Sequence, residues 1–251
     1  MNEIQVFGIK GLPEIKGGDN LAEQMIDALH RRNHRLIEND IVVVTSKIVS
    51  KAENRFVRKQ DVSPSPFARE IAAKMRNKSA EEVEVILQES SRVVKMTDYV
   101  LIMETKHGFI CANAGVDRSN VGSEELFLLL PEDPDASAKQ IRDGLIAHYG
   151  VDMVVIISDT FGRPWRLGQT NVAIGVSGML SIKDYKGQLD RFGHELHMTE
   201  IAVADQLAGT AELVMNKKDA VPVAVIRGYP YPKGEGKAKD LIRPSSMDLF
   251  R

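Results

Sequence analysis

The sequence predicts a mixed α+β fold built as one module over residues 1–251, with room for two subdomains. Three observations lead there. Short β-branched apolar runs recur along the chain, amphipathic stretches of helical period lie between some of them, and the two kinds do not alternate strictly as in a doubly wound βαβ sheet. At 251 residues the chain is long enough to bury a substantial core.

Residues 3–9 form the first short strand candidate. Asp19 or Asn20 is placed to cap a helix reaching about residue 32, with Leu21, Met25, Ile26 and Leu29 on one face. Residues 41–45 are a β-branched run consistent with a buried strand, and the polar groups of 46–51 follow at its end. Pro64 and Pro66 turn 61–67 into a connection. Helices are expected at 67–76 and 80–88, the second opening on Ser79 and Glu82 at capping-box spacing. Residues 99–105 and 109–112 pattern as a hairpin turning at 106–108, with a polar loop over 114–122 beyond it. An amphipathic stretch at 137–148 precedes an apolar strand at 153–158. Residues 159–171, rich in Gly, Arg and polar groups, read as a loop before a strand at 172–176. Residues 197–214 pattern as one long helix with Ile201, Ala204, Ala208 and Ala211 or Leu213 inward, and 222–226 as a last strand. The Gly-, Pro- and Lys-rich tail after Gly228 is expected to be surface-bound or mobile.

Composition narrows the function classes. Hydrophobic residues at 43% and charged ones at 27% are ordinary for a globular protein, and 33 basic against 35 acidic side chains give a net charge of -2. That balance carries no footprint of nucleic acid or of an anionic membrane. A single cysteine, Cys111, allows no intrachain disulfide. The N-terminal stretch does not pattern as a signal peptide, and the apolar runs are far shorter than the ~20 residues of a membrane span, so a cytoplasmic protein is expected.

Polar segments at the ends of apolar strands are where binding groups gain rigid support. The first, Thr45-Ser46-Lys47-Ile48-Val49-Ser50-Lys51, sets two lysines beside hydroxyls and can hold phosphate oxygens, or can be a solvated strand end. The second contains Gly115, Asp117 and Asn120; its oxygens suit magnesium or manganese, and the same residue types form ordinary turns. The third, Ser158-Asp159-Thr160-Phe161-Gly162-Arg163-Pro164-Trp165-Arg166, combines metal-type oxygens with two arginines that can grip anions bidentately; the plainer alternative is a loop stapled by a buried Trp165. A fourth segment carries Glu200, Asp205, Gln206 and Glu212, whose spacing favours the wet face of a helix over a metal cluster. Several motifs fail. Gly234-Glu235-Gly236-Lys237-Ala238 lacks the spacing and hydroxyl of a P-loop, no Gly-x-Gly-x-x-Gly follows a strand, and His194 and His197 are not four apart as a zinc-protease helix needs. Cys111 falls in a strand pattern and reads as core rather than nucleophile.

Taken together, Gly11-Leu12-Pro13-Glu14-Ile15, the 45–51 run, 112–120 and 158–166 occur in the order found in the coenzyme F-420-0:L-glutamate ligase family, which the chain resembles over essentially its whole length. It is similar to the single-module archaeal form, without the nitroreductase-like domain of the bacterial one. The resemblance implies an unusual two-part mixed fold, neither Rossmann nor P-loop, in an intertwined homodimer. It implies a GTP-dependent ligase that activates the acceptor carboxylate as an acyl phosphate, adds L-glutamate through an amide, and adds a second, γ-linked glutamate. Magnesium or manganese at two sites and potassium are expected with it. On that basis Asp117 and Asp159 are expected to hold metal, with Thr160 and Gln206 at a second ion. Leu12, Pro13, Glu14, Ile15, Ser46, Lys47, Lys51 and Asn120 are expected to contact nucleotide, and Arg163 and Arg166 to hold phosphate or substrate carboxylate. Competing readings are a related ligase with another amino acid or acceptor, and a non-catalytic deazaflavin- or nucleotide-binding protein.

Overall fold

The structure is a computed structural model describing residues 3–118 and 125–248. In chain order the elements are β1 (Gln5–Gly8), α1 (Leu21–His30), β2 (Asp40–Thr45), α2 (Ser46–Ala52), β3 (Phe56–Arg58), α3 (Pro66–Ala73), α4 (Ala80–Gln88), β4 (Ser90–Met96), β5 (Leu101–Thr105) and β6 (Ile110–Ala112). They continue with β7 (Leu126–Leu128), α5 (Pro134–Tyr149), β8 (Met153–Arg163), β9 (Arg166–Ser177), β10 (Lys183–Asp184), β11 (Glu200–Ile201), α6 (Val203–Met215) and β12 (Val223–Arg227). Helices and several sheets are mixed, as the pattern predicts.

The main sheet has the order β1-β12-β2-β8-β9. Its centre is the parallel pair β2 and β8, in register from Asp40↔Met153 to Thr45↔Ser158; the other pairings in this sheet are antiparallel. Both faces of the central strands are covered, which is why they read as unbroken apolar runs. Side chains alternate between faces along a strand. Val42 and Val44 of β2, with Val155 and Ile157 of β8, pack with Met25 and Leu29 of α1 and Ile141 and Leu145 of α5. Ile41, Val43, Val154 and Ile156 face the other way, onto Ala204, Leu207, Ala208 and Ala211 of α6. A separate apolar cluster joins Val83 and Ile86 of α4, Leu101 and Met103 of β5, and Phe127 of β7.

Local chemistry sets the element boundaries. Asn20 caps α1, its Oδ1 accepting from the N–H of Ala22 and of Glu23. Ser79 caps α4 over the span the spacing predicts. Three expectations are corrected. Residues 46–51 are not a bare strand end but the helix α2, nucleated where β2 stops. Residues 159–171 are not a loop: β8 and β9 run on as a hairpin, with Asp159↔Val172, Thr160↔Asn171, Phe161↔Thr170 and Gly162↔Gln169 paired. Backbone pairing supplies those hydrogen bonds whatever the side chains are, so arms that leave the core stay strands while turning polar. At the tip Trp165 adopts φ 58° and is 78% exposed, so it is not the buried staple of that alternative. The helix expected over 197–214 starts only at Val203, because Glu200 and Ile201 pair with β10. The strand β4 carries register shifts that hide its period. The tail is surface-bound: Tyr231 and Ala238 are buried, and the Gly236 N–H donates to the Met179 carbonyl. No helix among the described residues is long and apolar enough to cross a membrane.

Candidate active site

Parallel pairing of β2 with β8 brings their carboxyl ends together, so whatever follows each strand is delivered to one place. After Thr45 comes Ser46; after Ser158 comes Asp159. The Ser46 hydroxyl donates to Asp159 Oδ1 at 2.9 Å. One residue into α2, Lys47 Nζ stands 2.6 Å from Asp117 Oδ2. One turn further, the buried Lys51 pairs with Glu14. Asp117 is held by a two-way backbone bridge with Leu128, both bonds 2.9 Å. The turn that presents it needs Gly115, which sits at φ 73° with the Leu130 side chain where a Cβ would lie.

These residues share one cleft of about 960 Å³. Leu12, Pro13, Glu14 and Ile15 form part of its wall, with Ser46, Lys47, Lys51, Asp117, Asp159 and Thr160. A second polar group lines the same cleft. Lys217 Nζ lies 2.5 Å from Glu212 Oε1 and donates to Thr160 Oγ1 at 2.7 Å, while the Thr160 hydroxyl donates to Asn171 Oδ1 at 2.7 Å.

The electrostatics single out Asp159. Burial raises its pKa above the usual carboxylate value; hydrogen bonds from Ser46 and the Thr160 backbone pull it back, the charge of Asp117 raises it, and Lys47 lowers it. A carboxylate carried at such cost next to another is the environment a cation relieves. Ser158 Oγ adds a buried oxygen on the cleft wall without a protein partner. Carboxylate and hydroxyl oxygens are the donors that magnesium and manganese take. Among the described residues no three His, Cys, Asp or Glu side chains converge on one point. An ion held by two carboxylates would be completed by phosphate and water, as magnesium usually is. Cys111 also lines the cleft; burial, with Asp159 second, pushes its thiol up to about 12, so it remains an un-ionised, weakly nucleophilic wall group.

Three expected residues stand apart. Arg163 and Arg166 are exposed at the hairpin tip, where Arg163 Nη2 donates to the Leu167 carbonyl at 2.9 Å. Gln206 is exposed on α6 and does not line the cleft. Asn120 lies outside the described residues. Sequence reasoning missed Asn171, Lys217 and Lys218, and it placed Glu212 on a wet helix face, whereas Glu212 lines the cleft. Of its companions, Asp205 accepts from the Ala173 N–H and Glu200 pairs with exposed Lys186. The available signal was the end of α6: Glu212 and Lys217, five apart and just before a strand, repeat the strand-end logic applied elsewhere.

The model of the F420-0:Gamma-glutamyl ligase family matches residues 8–228. The coenzyme F420:L-glutamate ligase of Methanothermobacter thermautotrophicus is 43% identical over 251 residues, 99% of each chain. The enzymes of the same name from Methanocaldococcus jannaschii and Methanococcus maripaludis are each 42% identical over 252 residues, covering 99% of this chain and 97% and 98% of theirs.

Proposed function

Since this chain belongs to the F420-0:Gamma-glutamyl ligase family, we propose that it is a GTP-dependent ligase that joins L-glutamate to coenzyme F420-0 through an amide. The observation that carries the reading is the meeting of Asp117 and Asp159 with Lys47, Lys51 and Lys217 in one cleft. A carboxylate is a poor electrophile, and phosphorylation supplies a leaving group. The F420-0 carboxylate attacks the γ-phosphorus of GTP, the bond to the GDP oxygen breaks, and an acyl phosphate forms. The α-amine of L-glutamate then attacks the acyl carbon, its proton is lost, and phosphate departs as the amide forms. A second round on the new γ-carboxylate adds a second, γ-linked glutamate.

The roles follow from position. Leu12–Ile15, Ser46, Lys47 and Lys51 serve the nucleotide, the lysines as point charges for phosphate; Asn120 is given the same role by the family resemblance alone. Asp117 and Asp159 would hold magnesium or manganese, which supplies charge neutralisation to the transferring phosphoryl group. Ser46 orients Asp159, and the Leu128 bridge orients Asp117. Arg163 and Arg166 serve an outlying carboxylate or phosphate of the acceptor. A cytoplasmic homodimer assisted by potassium completes the reading.

The test is the mass of F420-0 after incubation with the protein, L-glutamate, manganese and either GTP or ATP. A gain of one or two glutamyl units with GTP is the expected result. No gain with L-glutamate, but a gain with another amino acid, would replace glutamate as the substrate; no gain with any would remove the ligase reading.

A further inference from the structure

Lys217 reaches three oxygens at once. Its Nζ lies 2.5 Å from Glu212 Oε1, 2.7 Å from Thr160 Oγ1 and 3.4 Å from Asn171 Oδ1. Those oxygens are themselves fixed: Thr160 donates to Asn171 Oδ1, and the Asn171 N–H donates to Glu212 Oε2 at 3.0 Å. Thr160 and Asn171 are register partners across β8 and β9, Glu212 projects from α6, and Lys217 lies just past its end. A carboxylate, a hydroxyl and an amide oxygen around one point form a hard-oxygen set of the kind that takes a divalent cation. Here an ammonium occupies that point. Thr160 is present as expected of a second ion's site, and Gln206 is not.

We infer that Lys217 stands in for a second divalent ion, so that this chain holds one magnesium or manganese per nucleotide, at Asp117 and Asp159. This rests on the nucleotide- and metal-binding reading of the cleft. An ammonium and a divalent cation compete for the same three oxygens and repel at contact distance, so one excludes the other. The ammonium has a different use from the ion. It cannot take a phosphate oxygen into a coordination shell, but it holds positive charge in place by covalent attachment, with no dissociation constant of its own. Removing it while keeping Glu212, Thr160 and Asn171 leaves the oxygens for a metal to claim.

The experiment counts manganese by the loss of the free-ion electron paramagnetic resonance signal, with a non-hydrolysable GTP analogue at saturation. It compares the wild-type protein with Lys217→Gln and Lys217→Ala. The Lys217 side chain is 59% exposed, so both variants are expected to fold as the parent does. One ion per wild-type chain and two per variant chain is the expected result. Two ions in the wild type, or one in all three proteins, overturns the role of Lys217 alone. No ion in any of them overturns that role together with the metal site at Asp117 and Asp159.

Discussion

The Ser46 hydroxyl lies 2.9 Å from Asp159 Oδ1, a bond between residues 113 positions apart that exists because β2 and β8 end side by side. Ser46 stabilises the ionised form of a carboxylate that burial disfavours. Ser46→Ala is therefore predicted to raise the Asp159 pKa further and to weaken manganese binding about tenfold, as loss of a ligand-orienting group does. Manganese titrations at several pH values check this: the acid limb of binding should move to higher pH. An unchanged pH profile would make the Ser46 bond incidental.

Asp159→Asn separates stability from activity. The folded pKa of Asp159 is raised, chiefly by burial. Between the unfolded and folded values the native state binds more protons, so metal-free stability falls as pH rises through that window and stays lower above it. The amide removes this dependence. The variant is predicted to be at least as stable as the parent at neutral pH in denaturant titrations without metal, and to lose about 10²-fold or more in turnover. A destabilised variant would mean that the carboxylate is a structural group.

Gly115→Ala is predicted to cost roughly 1–3 kcal/mol in denaturant unfolding, because φ 73° disfavours a side chain and a Cβ there would meet Leu130 Cγ at 2.7 Å. The strain falls two residues before Asp117, so manganese affinity should drop with stability. Retained affinity in the folded fraction would show that the Leu128 bridge suffices to place Asp117.

Arg163 and Arg166 sit at an exposed tip. Replacing either with Ala is predicted to change stability by no more than about 0.5 kcal/mol, and to raise KM for F420-0 roughly tenfold if the guanidinium bonds an acceptor anion. Steady-state kinetics with F420-0 varied at fixed GTP separate the two effects. An unchanged KM would remove both arginines from the acceptor site.

The contrast between Asp159 and Lys217 explains what was legible beforehand. Buried central strands announce themselves through runs such as 41–45 and 153–158, because both faces are covered, and the polar residues that follow them are then conspicuous. Ser46, Lys47, Lys51, Asp159 and Thr160, which follow those runs, fall in one cleft with Asp117 and with Leu12–Ile15, the last four supplied by the family resemblance. The hairpin arms at 159–171 were read as a loop because a strand that leaves the core keeps its backbone pairing and loses its apolar signature. Glu212 and Gln206 lie on the same helix, and only the packing of α6 against β9 decides which of them faces the cleft. Periodicity fixes relative angles around a helix, not the direction of the site.

The most direct test of the chemistry uses F420-0 labelled with oxygen-18 in its reacting carboxylate, incubated with L-glutamate, GTP and manganese, with the released phosphate analysed by mass spectrometry. Attack of the carboxylate on the γ-phosphorus predicts one labelled oxygen in each phosphate. Phosphate released without label, while the amide still forms, would contradict activation through an acyl phosphate.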